Sequence, residues 1–246
     1  MHREYRRIAE HPTVGILVVH GITSTPNHFR DLLGLIPGRF SVHALLLDGH
    51  GKTVKDFSAT SMKKWVEQVS QAVEELSQCH REIYILAHSL GTLLSIEQAI
   101  KNEKITRMFL LDSPLHIFVR PVMVPIALKF SRGKADPTDP LLEGFAQSYS
   151  IAPDKNPFHY LGWLPRFLEL LFKSRKTRKL IPKINCPTVV FQSQKDELVS
   201  MKSCDCFRDN PNITLQILPH SGHCYYPSED LQLLQSSFTD FLLQEA

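Results

Sequence analysis

Residues Ile83–Gly91 read IYILAHSLG, an apolar run that passes directly into a helical pattern with Ser89 at the corner. A serine at such a corner takes a strained backbone conformation that pushes its hydroxyl out above the sheet. This conformation crowds the residues two before and two after the serine, and both are small here, Ala87 and Gly91. The stretch predicts an exposed nucleophilic serine; the alternative is a buried serine that caps the following helix.

Short apolar runs and longer helical patterns alternate on both sides of this corner. The runs lack a period of two, which is typical of strands buried on both faces of a parallel sheet. Strands that alternate with helices predict a mostly parallel sheet with helices on both faces. The predicted strands are Val14–His20, Val42–Leu47, Ile83–Ala87, Met108–Leu111, Thr188–Phe191 and Ile213–Leu218, and the helices between and after them are Ser61–Ser77, Leu90–Lys101 and Glu229–Leu243.

The segment from Ser113 to Pro182 interrupts this alternation. It carries nine prolines and many aromatic residues but no convincing strand pattern. Because it is too long and too apolar for a linker, we interpret residues 113–182 as a helical cap insertion. Its last part, Pro165–Ile181, is predicted to be the helix that returns the chain to the sheet. Residues 1–112 and 183–246 then form the core of one domain.

The composition excludes several classes of protein. With 43% apolar and 22% charged residues, the chain of 246 residues is neither disordered, collagen-like nor a coiled coil. A net charge of +3 gives no reason to expect a nucleic acid partner. The most apolar segment, His116–Phe130, is short and broken by prolines, so we expect no stable membrane insertion. Without a signal-peptide pattern or paired cysteine spacing, we expect a cytoplasmic protein.

A serine hydroxyl becomes a good nucleophile only beside a base that a third group orients. Asp196 follows the predicted strand Thr188–Phe191, and His223 lies in the loop after Ile213–Leu218. Both residues, like the serine, therefore stand at the carboxyl ends of parallel strands. This is the edge at which open α/β sheets bind ligands.

Each of these two residues has a competitor in the sequence. Asp112 directly follows the strand Met108–Leu111 and could be the acid in place of Asp196. His220 could be the base in place of His223. A zinc site is a further alternative, because cysteine and histidine are the residue types that bind zinc. Such a site would, however, use the only good base for the serine. Its ligands would be Cys204, Cys206, His220 and His223.

A loop after the first predicted strand adds a further element of the site. Gly21, in His20-Gly21-Ile22, lets the backbone turn back toward the serine. The backbone N–H of Ile22 is then placed to donate to an oxyanion. The N–H of Leu90, at the start of the helix after the serine, is the other candidate donor.

Together these motifs resemble the α/β-hydrolases, in the branch of carboxylesterases and monoacylglycerol lipases. The resemblance extends from Val14 to Leu243. It rests on His20-Gly21-Ile22, Gly49-His50-Gly51, Ala87-His88-Ser89-Leu90-Gly91, Asp196-Glu197-Leu198-Val199 and Gly222-His223. Two positions depart from the pattern, because Ala87 stands where glycine is usual and Thr92 where a further glycine often follows.

The resemblance implies an α/β-hydrolase fold, with a mostly parallel sheet of about six strands, helices on both faces and an inserted helical cap. It implies the following roles: Ser89 as nucleophile, His223 as general base and acid, Asp196 as its orienting partner, and Ile22 and Leu90 as oxyanion donors. No metal and no organic cofactor is implied. His50 is interpreted as structural, since it lies in a tight glycine turn near the oxyanion loop.

We therefore expect a serine carboxylester hydrolase with a small-molecule substrate, a short- to medium-chain acyl ester, monoacylglycerols included. Ile22 and Leu90, with the cap residues Phe118, Phe145 and Trp163, are the expected substrate-binding residues, because acyl pockets are lined by apolar and aromatic side chains. The alternatives are a thioesterase or a proline-type aminopeptidase with the same three residues, or a ligand-binding protein without catalysis. The sequence does not set the oligomeric state.

Overall fold

The structure, a computed structural model, describes residues 2–10, 13–121 and 140–243. The apolar run Val122–Leu128 and Phe130, both predicted to belong to the cap, lie outside the described residues. Among the described helices, none combines the length and the apolar character that crossing a lipid bilayer requires.

Seven strands form a single sheet. They are β1 (Tyr5–Arg7), β2 (Val14–Val19), β3 (Ser41–Leu45), β4 (Glu82–His88), β5 (Ile105–Leu111), β6 (Thr188–Ser193) and β7 (Ile213–Leu218). Their order in the sheet is β1-β3-β2-β4-β5-β6-β7. Strands β2 to β7 are parallel, which confirms the predicted sheet, and β1 pairs antiparallel with β3. The sequence did not predict β1, because its three residues, YRR, carry no apolar run.

Helices cover both faces of the sheet. They are α1 (Arg30–Leu33), α2 (Val54–Ala59), α3 (Met62–Cys79), α4 (Leu90–Lys101), α5 (Pro140–Ser148), α6 (Trp163–Arg178) and α7 (Ser228–Leu243). Short 3₁₀ turns at Pro26–Phe29, Pro157–Gly162, Ile181–Lys183 and Met201–Cys206 connect several of them. The three helices predicted outside the cap correspond to α3, α4 and α7.

Alternate residues of each central strand enter two different apolar clusters. In β2, Leu17 and Val19 pack with α3 and α4, whereas Ile16 and Val18 pack with α1 and α7. Burial of both strand faces explains why these strands read as unbroken apolar runs in the sequence. The apolar stripe predicted on α3 is buried, with Trp65 fully enclosed.

Two parts of the predicted cap are described, residues 113–121 and 140–182. They contain α5, a 3₁₀ turn and α6, and no strand occurs within these two ranges. The predicted returning helix is α6, which begins two residues before Pro165. A proline is tolerated there because the first N–H groups of a helix have no partner within the helix. The cap boundaries 113 and 182 stay a prediction.

Candidate active site

The corner at Ser89 has the conformation that the sequence predicts. Ser89 joins β4 to α4 with a φ of 51°, a positive value that side chains other than glycine rarely adopt. A Cβ added at Gly91 would lie 2.0 Å from the carbonyl oxygen of Val19, so only glycine fits there. Ser89 precedes the first residue of α4, but its side chain makes no capping hydrogen bond to the helix. The hydroxyl is therefore available to another partner.

That partner is His223, which also bonds to Asp196. The Nε2 atom of His223 lies 3.0 Å from the hydroxyl oxygen of Ser89, and its Nδ1 lies 2.7 Å from Oδ2 of Asp196. All three residues are buried. The backbone N–H groups of Leu198 and Val199 donate to the other carboxylate oxygen of Asp196, at 2.7 and 2.8 Å. The structure thus joins the three predicted catalytic residues in one hydrogen-bonded line.

Two carboxylates that the sequence analysis did not single out hold the loop of His223. Oε2 of Glu197 accepts the backbone N–H of His223 at 3.0 Å. Oδ2 of Asp230, in the first turn of α7, accepts both the N–H of His220 and the hydroxyl of Ser221. The one sequence feature that could have pointed to Glu197 is its position directly after the predicted acid, Asp196. The ring of His220, the competing base, is half exposed and lies 3.8 Å from Glu229.

Asp112, the competing acid, bonds to other groups. Its carboxylate accepts the N–H and the hydroxyl of Ser193 at 2.7 and 3.1 Å, and the hydroxyl of Tyr226 at 3.1 Å. Burial, with the nearby charge of Asp196, raises the pKa of Asp112 to about 7. Within the described residues, the carboxylate that bonds to the ring of His223 is therefore that of Asp196.

Two further histidines pack behind His223. The Nε2–H of His88 donates to the carbonyl oxygen of His223 at 3.0 Å, and His28 stacks on the ring of His88 at 3.8 Å between centroids. Burial lowers the pKa of His28 to about 3 and that of His88 well below its usual value, so both rings are neutral. They add no positive charge next to His223.

One group of side chains in the described part of the chain could hold a metal ion. It comprises His88, Asp112 and His223, whose ligand atoms lie within 4.8 Å of one another. Both ring nitrogens of His223 face Asp196 and Ser89, so an ion here would disrupt that line. The group is therefore better explained as part of the hydrogen-bonded network, and it shares only His223 with the zinc site considered from the sequence.

The loop after β2 approaches the serine closely. A Cβ on Gly21 would lie 2.9 Å from Cβ of Ser89, which explains the glycine. Thr23 has a φ of 59° and is held from both sides. Its N–H donates to Nε2 of His50 at 3.0 Å, and its carbonyl accepts the N–H and the hydroxyl of Ser150 at 2.9 and 3.0 Å. The sequence did not indicate that Ser150, which follows α5, would reach this loop.

These bonds require a neutral His50 with one defined tautomer. A backbone N–H can only donate, so Nε2 of His50 carries no proton and Nδ1–H donates to the carbonyls of Leu47 and Asp48. Burial lowers the pKa of His50 to about 4, which keeps the ring neutral. His20 is arranged in the same way, with its Nε2 accepting the N–H of Leu47. The structural role of His50 is therefore to bond the loop after β2, at Thr23, to the turn at Leu47 and Asp48.

The predicted substrate-binding residues occupy different environments. Ile22 and Trp163 pack against the apolar cluster that contains Leu90. Phe145 is partly buried in α5, whereas the side chain of Phe118 is 58% exposed. A cavity of about 200 Å³ is lined by residues of α1, α5 and the segment Cys224–Tyr226, and the described residues that line it include none of these five. The acyl-binding role of these residues stays a prediction.

Comparison with known proteins identifies the family. The model described as the alpha/beta hydrolase family matches residues 16–234, most of the chain. The chain belongs to the alpha/beta hydrolase family. A relative from Bacillus sp. (strain H-257), named thermostable monoacylglycerol lipase, is 26% identical over 204 residues, which cover 80% of this hydrolase and 76% of the relative. A monoglyceride lipase homolog of Monkeypox virus is 25% identical over 191 residues, covering 71% and 67%.

Solved structures share the fold of this hydrolase. The structure described for the metagenome-derived lipolytic enzymes LipS and LipT has a TM-score of 0.72 and 19% identity, and covers 98% of this chain and 97% of its own. A monoacylglycerol lipase of Paleococcus ferrophilus has a TM-score of 0.69 and 17% identity, with 98% of each chain covered. The predicted fold and the resemblance to lipase-like hydrolases are confirmed.

Proposed function

We propose that this hydrolase is a serine carboxylester hydrolase that acts on short- to medium-chain acyl esters, monoacylglycerols included. One observation carries the proposal, the buried line from Ser89 through His223 to Asp196 with separations of 3.0 and 2.7 Å. Nucleophile, base and orienting acid are arranged as acyl transfer requires. The names of two relatives, a monoacylglycerol lipase and a monoglyceride lipase homolog, support the substrate class.

The reaction would proceed in two steps. Ser89 attacks the ester carbonyl while Nε2 of His223 takes its proton, and Asp196 stabilises the resulting imidazolium. The backbone N–H groups of Ile22 and Leu90 hold the oxyanion. His223 then protonates the departing alcohol, and in the second step it activates the water that hydrolyses the acyl-enzyme. Neither step involves a metal or an organic cofactor.

Apolar surroundings favour acyl chains over charged substrates. Tyr149, Tyr160 and Trp163, like Ile22, pack against the apolar cluster that contains Leu90. Each methylene that enters an apolar site contributes up to ~0.8 kcal/mol of binding free energy.

We also propose a cytoplasmic, reducing location. All five cysteines carry free thiols, as is usual for proteins of such a compartment.

A panel of substrates tests this function. We expect kcat/KM to rise along a series of p-nitrophenyl esters with increasing acyl length, and to fall once the site is full. Thioesters and aminoacyl arylamides of matched size should be poorer substrates, since they represent the thioesterase and aminopeptidase alternatives. Highest kcat/KM on the acetate ester with a steady decline afterwards would contradict an acyl site. An absence of any hydrolysis would favour the ligand-binding alternative.

The pH dependence of kcat/KM should follow His223. Burial lowers the pKa of this ring, but the carboxylates of Asp196, Asp112 and Glu197 outweigh burial and raise the pKa above its usual 6.5. Only the neutral ring accepts the serine proton, so kcat/KM should rise with pH and reach half of its maximum above pH 6.5. Asp112→Asn removes one carboxylate and should move this midpoint to lower pH. A flat profile between pH 5 and 8 would exclude a histidine base.

A further inference from the structure

Large apolar side chains are exposed on one short segment far more densely than elsewhere. The described part of the chain exposes fourteen large apolar residues, and seven of them lie within residues 158–172. We name these seven the outer apolar face: Phe158, Leu161, Leu164, Phe167, Leu168, Leu171 and Phe172. Single exposed apolar residues are ordinary on soluble proteins, whereas a contiguous group marks an interaction surface.

Buried polar bonds fix the direction in which helix α6 presents this face. Lys173, Ser174 and Thr177 are buried on the inner side of the helix. The hydroxyl of Ser174 donates to the carbonyl of Leu115 at 2.8 Å, and the ammonium of Lys173 pairs with Glu97. An amphipathic helix normally turns its apolar side to the core, and α6 largely does the reverse. The outer apolar face is therefore built into the packing of α6.

Positive charge continues this face at the C-terminal end of α6. Arg175 follows Leu171 by four residues and so lies on the same side of the helix, with Lys176 and Lys179 close by. All three cationic side chains are exposed. The one acidic residue of α6, Glu169, pairs with a cation on its own helix rather than with these three. The outward side of α6 thus combines an apolar stripe with a cationic end.

We propose that the outer apolar face and these three cations bind the surface of an anionic lipid layer. Apolar side chains of a helix that lies flat enter the boundary between headgroups and acyl chains, while lysine and arginine meet the lipid phosphates. A protein partner fits less well, since protein interfaces are depleted in lysine. The inference rests on the proposed function, because monoacylglycerols and similar esters reside in such layers. Binding there would place the enzyme at its substrate.

Vesicle binding by the full chain tests this surface. We expect co-sedimentation with vesicles of phosphatidylglycerol and phosphatidylcholine, and much weaker co-sedimentation with phosphatidylcholine alone. Replacing Arg175, Lys176 and Lys179 together by glutamine should weaken anionic vesicle binding about 100-fold. Leu164→Gln with Leu168→Gln should weaken it at least about tenfold.

A matched control uses exposed leucines of another helix. Leu233→Gln with Leu243→Gln, on α7, should leave vesicle binding unchanged. All variants should hydrolyse a water-soluble short-chain p-nitrophenyl ester at the wild-type rate, because none changes the active site. Vesicle binding is also measured with Ser89→Ala, which lacks the proposed nucleophile. This variant should bind vesicles like the wild type, so lipid binding is tested independently of ester hydrolysis. Vesicle binding without ester hydrolysis in the wild type would overturn the proposed function alone.

Four results would overturn the lipid proposal. These are no binding of the wild type to anionic vesicles, equal binding to both kinds of vesicle, unchanged binding after the changes on α6, and an equal loss in the α7 control. Analytical ultracentrifugation tests whether a second copy of this chain covers the outer apolar face instead. A wild-type dimer that Leu164→Gln with Leu168→Gln converts to monomer, without vesicle binding by either, would make the face a contact between two copies and would also overturn the proposal.

Discussion

Replacing Ser89 by alanine is expected to lower kcat for ester hydrolysis by about 10⁴- to 10⁶-fold, because the covalent step then has no nucleophile. His223→Ala should cause a loss of similar size. The double variant should lose little more than either single variant, since nucleophile and base act as one unit. A fluorophosphonate should label the wild type at Ser89 and leave Ser89→Ala unlabelled. Unchanged labelling or hydrolysis in Ser89→Ala would exclude the proposed nucleophile.

Asp196→Asn should cost about 10⁴-fold in kcat, because the base survives but loses the group that orients it. Asp112→Asn is the matched control. Asp112 is buried at the end of the neighbouring strand, but it bonds to Ser193 and Tyr226 instead of the ring of His223. We expect this control to keep kcat within about tenfold of wild type at its own pH optimum. If Asp112→Asn were the more damaging change, Asp112 would be the acid.

Local patterns were enough to predict the central sheet and the line of residues at its edge. The central strands are buried on both faces, so they appear as apolar runs, and parallel strands present their carboxyl ends at one edge. Ser89, Asp196 and His223 each follow such a run. Their meeting within hydrogen-bond distance therefore follows from the order of strands along the chain, even though 134 residues separate the serine from the histidine.

Contacts that depend on how loops pack could not be predicted in this way. Glu197 and Asp230 hold the loop of His223 through backbone N–H groups, which leave no pattern in the sequence. The hydroxyl of Ser150 donates to the carbonyl of Thr23, in the loop after β2, although 127 residues separate the two. Helix α6 was predicted as a helix, but the sequence did not indicate which of its sides faces the core. Which side of α6 is buried depends on bonds such as Lys173 with Glu97, which only the folded chain defines.

A large effect is also expected at His50, which lies outside the hydrogen-bonded line of Ser89, His223 and Asp196. His50→Ala should lower kcat about 100-fold with little change in KM. The ring accepts the N–H of Thr23 at 3.0 Å, and Thr23 directly follows the proposed oxyanion donor Ile22. Loss of one oxyanion donor costs about 10²–10³-fold in kcat. Because the oxyanion forms only in the transition state, misplacing its donor should affect kcat rather than substrate binding.

Two matched variants separate positioning from a general loss of packing. His50→Gln keeps a carbonyl that can accept from Thr23 and an amide that can donate to Leu47, so it should recover most of kcat. Ser150→Ala removes one of two bonds to the carbonyl of Thr23 and should cost less than about fivefold. Thermal denaturation of each variant shows whether a loss of kcat reflects unfolding instead.

The strain at Thr23 explains why the loop should depend on a residue so far from the chemistry. A φ of 59° at a threonine is costly, and it persists only where surrounding bonds determine the conformation. His50 bonds to the N–H of Thr23, and Ser150 bonds to its carbonyl. Without His50, the backbone should relax and carry the N–H of Ile22 away from the oxyanion. A His50→Ala variant with wild-type kcat, or with KM raised in place of a lowered kcat, would show that the loop holds its conformation without the histidine.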